Sequence, residues 1–268
     1  MIRDPLTEDA ILPLVRDLRI PWRVHAYGSI VSTNDTAKRL AGNGAPEGTL
    51  VVAETQTGGY GRRGNVWESP PGGLWFSFLV RPHLPPERAS GLSVVTAVAV
   101  ARAVIDLGGP SARIKWPNDV FIGGRKLAGA MVLSAGDGAL VVGVGVNVNV
   151  SEADMPAPDW YEATSLLKET GEEHARPPLL ARVLAEFEKR YYAYRGPDHV
   201  ELLREWRELS LVIGEWVTAA VGDETVQGTV FDMEEDCGIV LRLPSGGHRK
   251  LLPTGDVTLS VGGMRDLA

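Results

Sequence analysis

Three apolar stretches, Ala112–Trp116, Lys126–Leu133 and Ala139–Val150, follow one another through links of only a few residues that carry glycine. A parallel crossover needs about a dozen or more connecting residues, so these stretches predict an antiparallel meander rather than βαβ units. Thr49–Glu54 and Leu74–Val80 read as two further strands, and Pro86–Leu107, apolar with small residues all round, as a buried helix packed on the sheet. Capping residues place helix starts at Thr7 and Ser32. Two amphipathic helices are expected over 177–194 and 199–209. From about Leu211 the texture changes to short β runs separated by glycine turns at roughly 8–12-residue spacing, which predicts a small all-β barrel.

The composition excludes several classes. With 44% hydrophobic and 23% charged residues the chain is globular rather than disordered. No apolar run reaches the ~18 residues that would suggest a membrane span, and the N-terminus lacks the basic start and apolar core of a secretory signal. The lone cysteine, Cys237, provides neither an internal disulfide nor a thiolate zinc site, and with these features the expected location is the cytoplasm. A net charge of −7 argues against a surface that coats nucleic acid. The five histidines are scattered without ligand spacing, and neither a phosphate-binding Gly-x-x-x-x-Gly-Lys-Ser/Thr nor His-Glu-x-x-His occurs.

Between the strands at 49–54 and 74–80 lies a long segment, Thr55–Gly73, which at such a length is functional or mobile in a folded domain. Its Gly59-Tyr-Gly-Arg-Arg-Gly64 matches Gly-x-Gly-x-x-Gly, but Asn65-Val-Trp-Glu-Ser-Pro-Pro cannot continue as the helix that a dinucleotide fingerprint requires. A glycine loop with adjacent Arg62 and Arg63 remains. It reads either as a phosphate cradle or as a surface loop with solvated arginines. Arg113-Ile-Lys-Trp-Pro-Asn-Asp-Val120 delivers Lys115 from a strand and Asn118-Asp119 at a turn. These are a cation and an acid for chemistry, or a snorkelling lysine and an ordinary turn. Lys126 at a strand start is equally an edge-blunting charge. In Gly143-Val-Gly-Val-Asn147 glycines interrupt β-branched residues, which weakens a strand unless something must approach closely.

In their order, Ser32-Thr-Asn34, Glu54-Thr-Gln56, Gly59-Tyr-Gly-Arg-Arg-Gly64 with Trp67, Lys115-Trp-Pro-Asn-Asp119, Arg125-Lys-Leu-Ala-Gly129 and Gly145-Val-Asn147 resemble the biotin–protein ligases. The likeness is dense over residues 25–150. It implies an α+β fold: a mixed, largely antiparallel sheet flanked by helices over 1–210, akin to class II aminoacyl-tRNA synthetases, and an SH3-like β-barrel over 211–268. It also implies a two-step reaction. ATP activates the biotin carboxylate as an acyl-adenylate with loss of pyrophosphate, and a lysine of a carrier protein, the biotin carboxyl carrier domain of acetyl-CoA carboxylase, then takes the acyl group.

Carried over residue by residue, the resemblance assigns Ser32, Thr33, Asn34 and Gln56 to the biotin headgroup. Gly59, Tyr60, Gly61 and Arg62 fall in the loop that folds over biotin and adenylate, with Lys115 and Gly129 completing the biotin set. Arg62, Arg63, Lys115, Asn118, Lys126 and Asn147 are assigned to the nucleotide. Lys115, Arg62, Asp119 and Lys126 are assigned to catalysis, and Trp67 to packing. No protein-held metal is implied, Mg2+ being carried mainly by the nucleotide. The family loop commonly reads Gly-Arg-Gly-Arg-x-Gly-Arg-x-Trp, whereas Tyr60 and Asn65 stand here at the first and third arginines. Phosphate contacts then fall on Arg62, Arg63, Lys115 and Lys126. About 25 residues precede the first motif, too few for the helix-turn-helix reader of the repressor members, so DNA binding is not expected. The family often pairs side by side through the sheet, which implies a homodimer. Two rivals are a lipoate–protein ligase or octanoyltransferase, which shares the fold, and a non-enzymatic adaptor using the barrel to bind.

Overall fold

A computed structural model describes residues 4–156, 161–197, 199–254 and 257–261. In chain order the first part contains α1 (Glu8–Val15), β1 (Arg23–Ile30), α2 (Thr33–Gly42), β2 (Thr49–Gln56), β3 (Leu74–Val80), α3 (Pro86–Ala89), α4 (Leu92–Asp106), β4 (Arg113–Lys115), β5 (Asp119–Ile122), β6 (Arg125–Ser134), β7 (Leu140–Val146), α5 (Leu166–Thr170), α6 (Arg176–Arg195) and α7 (Val200–Leu209). Then come β8 (Trp216–Val221), β9 (Glu224–Met233), β10 (Ile239–Arg242), β11 (His248–Leu251) and β12 (Val257–Val261). Thr7 and Ser32 cap α1 and α2 as their sequences predict, each side chain accepting an N–H from the first turn.

Seven strands form one sheet in the order β1-β2-β3-β7-β6-β5-β4. The three stretches expected to form an antiparallel meander are β4, β6 and β7, and the structure inserts a further strand, β5, between the first two. Three elements escape the sequence reading. β1 pairs parallel to β2 across the α2 crossover, and its burial does not alternate, so no period marks it. β5 begins at Asp119 itself, inside what reads as a turn, and α5 is only five residues long. The predicted helix over 86–107 is interrupted at Ser90–Gly91, giving α3 and α4. The segment Glu87–Asp106 is in fact long and apolar enough to cross a membrane by length and composition. It is mostly buried, however, as the central helix beneath the sheet.

Alternation along the strands separates two faces. Phe76, Phe78, Val142, Val144 and Val146 join α1, α4, α6 and α7 in the main core. Ser77, Leu79, Met131, Val141, Gly143 and Gly145 have the opposite parity, and Val51, Leu79 and Val141 pack there against Ala37 and Ala41 of α2. The site lies on this second face, where the helical cover stops short.

The C-terminal strands form a five-stranded antiparallel sheet, β11-β10-β9-β8-β12, whose apolar residues run into the same core. It docks on the strand that carries Lys115. Leu211 N–H donates to Ile114 O at 2.8 Å, the Arg113 guanidinium donates to the carbonyls of Leu209 and Ser210, and Trp116 Nε1 donates to Cys237 O at 2.9 Å. Residues 113–116 are thereby held from both sides.

Candidate active site

A cavity opens on the α2 face between the floor strands β6 and β7, the N-terminus of α2, the glycine loop and β12. Its floor is paved with glycine. A Cβ on Gly143 would sit 2.1 Å from Asn34 Oδ1, and one on Gly145 would sit 2.4 Å from Trp67 Nε1. Gly129, opposite Gly145 in the register, has the Trp67 ring and Asp119 as its nearest neighbours. These absent side chains let Asn34 and Trp67 lie directly on the sheet.

The inner end is a buried polar cradle. Thr33 donates from both its N–H and its hydroxyl to Gln56 Oε1, at 2.7 and 3.0 Å, and Gln56 Nε2 donates to Ser69 Oγ at 2.8 Å. The fully buried Ser77 hydroxyl lies 2.8 Å from both Thr33 Oγ1 and Asn34 Oδ1, and Asn34 Nδ2 donates to Met131 Sδ. Because the cap at Ser32 turns the chain into α2, Thr33 and Asn34 project over the sheet from the first helical turn.

The other end is cationic. Lys115, only 5% exposed, pairs in register with Asp119 across the β4–β5 hairpin. Asp119 Oδ1 receives Lys126 Nζ at 2.9 Å and Asn118 Nδ2 at 3.1 Å. Lys126 Nζ also stands 5.3 Å from the Trp67 ring and 4.8 Å from the Tyr161 ring, a cation between two π faces. Burial, with Asp119 and Glu68 adding to it, pushes the Tyr161 hydroxyl far above its ordinary value, so it remains a neutral donor.

The glycine loop roofs the cavity and is more ordered than its sequence promises. Isolated bridges join Gln56 to Ser69 and Tyr60 to Val66, with one 3-10 turn at Arg62–Gly64 and Arg63 at φ 57°. No α-helix opens there, consistent with the rejected dinucleotide fingerprint. Arg62 is inserted between the two sheets, donating to Asn118 Oδ1 at 3.0 Å and to the carbonyls of Thr254 and Val257 at 2.6 Å each. Tyr60 donates to Asp35 Oδ1 at 2.8 Å, and burial followed by this carboxylate raises its hydroxyl to about 12. Beneath the loop the fully buried Arg176 bonds Glu54 at 2.7 Å and Gly73 O at 3.1 Å, the residues just before and at the end of the 55–73 segment.

Thr33, Asn34, Gln56, Tyr60, Gly61, Arg62, Arg63, Lys115, Asn118, Asp119, Lys126 and Gly129 all line this cavity. Three of the residues singled out by sequence do not. Ser32 serves as the helix cap. Gly59 is packed beneath the loop, where a Cβ would meet Trp67 O at 2.5 Å. Asn147 is 2% exposed and donates to Thr164 O at 3.0 Å. Trp67, read as packing, lies on the floor and lines the cavity as well. Phe121, Met131, Gly143, Tyr161, Thr258 and Leu259 line it without having been assigned to it. Only Gly143 carries a sequence signal, as a glycine inside a β-branched strand. Among the described residues no three His, Cys, Asp or Glu side chains come together to hold a metal.

The comparisons with known proteins bear on the same residues. Residues 27–151 match the biotin/lipoate A/B protein ligase family. The chain is 32% identical over 264 residues to the biotin–[acetyl-CoA-carboxylase] ligase of Mycobacterium tuberculosis, covering 96% of each. It belongs to the biotin–protein ligase family. It is also 35% identical over 225 residues to the bifunctional ligase/repressor BirA of Bacillus subtilis, covering 82% of this chain and 69% of that one. Among solved structures, the biotin protein ligase from Aquifex aeolicus in complex with biotin and ATP superposes with a TM-score of 0.78 at 27% identity, over 90% of this chain and 99% of that one. In this ligase the family motifs of β2, α2, the glycine loop and β4–β7 are gathered onto one face of one sheet, and β12 of the second sheet closes the cavity beside them.

Proposed function

We propose that this ligase condenses biotin with ATP to biotinyl-5'-AMP, releasing pyrophosphate, and transfers the biotinyl group to a lysine of a biotin carboxyl carrier domain. The observation that carries the reading is the polarity gradient of one cavity. A neutral cradle of Thr33, Asn34 and Gln56, backed by the buried Ser77, stands at one end, and Lys115, Lys126 and Arg62 at the other. A ureido ring presents N–H donors and a carbonyl acceptor in a small apolar frame. Such a headgroup engages the cradle, where buried polar atoms left unpaired cost about 1–3 kcal/mol each.

The carboxylate end then faces Lys115. In the activation step a carboxylate oxygen attacks the α-phosphorus and pyrophosphate leaves, so negative charge builds on the α-phosphoryl oxygens. The Lys115 ammonium, held at the end of a strand fixed from both sides, stabilises that charge without reorganising. Asn118 and Lys126 meet the phosphates from the adjacent hairpin, and Asp119 holds Lys126 in place. Mg2+ arrives with the nucleotide. In the second step the carrier lysine, as a free amine, attacks the acyl carbon, AMP leaves with the bonding electrons, and the ammonium proton is lost to solvent. Arg62 ties the roof to the C-terminal sheet and keeps water from the mixed anhydride.

The rival acyl group is an octanoyl or lipoyl chain, which the family description spans. Such a chain brings no polar atom for the Thr33–Asn34–Gln56 cradle to engage, so the cradle favours biotin. Incubating the protein with biotin, Mg-ATP and a biotinyl carrier domain, then weighing the carrier, tests the reading. A carrier that gains a biotinyl mass only when biotin and ATP are both present supports it. Gain from lipoate instead, or no biotin-dependent exchange of pyrophosphate into ATP, overturns it.

A further inference from the structure

Position 60 is where this chain departs from the common loop of its family, and the structure supplies what the missing cation leaves behind. Tyr60 lies in the extended arm of the loop, bridged to Val66, and lines the cavity. Its hydroxyl reaches across to Asp35, the acidic residue in the first turn of α2, next to Thr33 and Asn34 of the polar cradle. Asp35 does not line the cavity. The phenol therefore stands between this carboxylate and the space in which, on the function proposed above, an anionic adenylate would lie. The same bond spans the two walls that ligand entry must separate, the helix N-terminus and the loop.

We propose that Asp35 is a positioning residue for the roof: by accepting the Tyr60 hydroxyl it latches the glycine loop to α2 and sets how long the acyl-adenylate is retained. The latch does without a cation at position 60, because a phenol donates to a carboxylate without adding charge. It acts on release more than on formation, since Lys115, on the opposite wall, remains where it is when the loop lifts. The loop's other attachment, Arg62 to Asn118 and the carbonyls of Thr254 and Val257, holds its far side. Opening thus needs both attachments to give, and Tyr60–Asp35 is the more exposed.

The inference rests on the proposed function for its chemical consequence but not for its geometry, and two measurements keep them apart. The first needs no ligand: trypsin cutting after Arg62 and Arg63 in the free protein, followed by mass. Tyr60→Phe and Asp35→Ala should each speed this cut by a similar factor, roughly 3–30-fold for one exposed charge-assisted hydrogen bond. The double variant should be no faster than either single one, and Asp35→Asn, whose amide oxygen still accepts, should stay near the parent. The second is dissociation of biotinyl-adenylate after single-turnover formation. Asp35→Ala should release it faster by a similar factor while forming it at the parental rate, and Tyr60→Phe should release it faster by the same factor. Additive effects in the double variant, or Asp35→Asn behaving like Asp35→Ala in the trypsin assay, would overturn the latch. Asp35→Ala and Tyr60→Phe leaving both rates unchanged would do so too. A parent that forms no adenylate would count against the function, with the trypsin result still deciding the latch.

Discussion

The floor and the roof of the cavity are both rich in glycine, and for opposite reasons. On the floor, Gly143 and Gly145 adopt ordinary strand backbone, and what they provide is space: a methyl group at either would overlap Asn34 or Trp67. On the roof, Gly64 has φ +76° with open space around its missing Cβ, and a Cβ on Gly61 would make only an ordinary contact with Asn65 O at 3.8 Å. These glycines shape a turn rather than make room. Gly59 belongs to the roof in sequence but to the floor in kind, because Trp67 O and Ser69 Oγ close on it. A glycine motif thus marks either a close approach or a bend, and only the neighbours tell which.

The contrast can be broken at its foundation. Arg176 anchors both ends of the roof from below, fully buried against Glu54, Asp4 and the Gly73 carbonyl. Removing one partner of a buried charge network costs about 3–5 kcal/mol. Arg176→Met should lower the urea midpoint accordingly and, in variants that still fold, raise the KM for biotin more than it lowers kcat. A parental midpoint would show that the loop's ends are held by the backbone alone.

Next in size is the buried cation. Lys115→Ala should slow single-turnover adenylate formation by ~100–1000-fold, or ~2.7–4 kcal/mol, while biotin binding by calorimetry changes little. An equal loss in both would move Lys115 from the reacting end of the cavity to its binding end.

Gly143→Ala sharpens the spatial half of the comparison. Its methyl must displace Asn34, which leaves Met131 without its donor and Ser77 with Thr33 alone, so biotin affinity should fall by ~10–150-fold, about 1.5–3 kcal/mol. The thermal midpoint should move less than the affinity, because Asn34 lines the cavity and can turn into it. The smallest effects belong to the roof. Gly64→Ala should cost about 1–2 kcal/mol of local stability from its left-handed backbone, read as faster hydrogen exchange in the loop. Gly61→Ala, with φ −103°, should lie within about 0.5 kcal/mol of the parent in equilibrium unfolding. A Gly61 variant as damaged as Gly143→Ala would erase the distinction between the two surfaces.

Much of this architecture is legible in the chain. The antiparallel β6–β7 pair follows from the shortness of its link, although β5 between β4 and β6 does not, and the β8–β12 sheet follows from evenly spaced turns. The boundaries of β3 at Leu74 and Val80 fall where the apolar run begins and ends. β1 was not legible, because a strand with mixed burial on both faces has no period to read. Asp119 was legible as a site residue yet not as the start of a strand, since Pro117-Asn118-Asp119 satisfies local turn chemistry and the sheet overrides it.

What the sequence determined by itself was the set of chemical groups and their order: two arginines on glycines, a lysine before Trp-Pro-Asn-Asp, and a capped helix beginning Thr-Asn. Local covalent and capping preferences settle these within a few residues. The tertiary structure alone decided which groups share a space. Tyr161 meets Lys126 because residues 162–164 hydrogen-bond to its backbone, and Thr258 and Leu259 reach the cavity because the C-terminal sheet docks on β4. Asn147 turns away from the cavity to Thr164 for the same kind of reason. Contacts between residues far apart in the chain depend on how whole elements pack, and packing energy is a property of surfaces that exist only once the chain has folded.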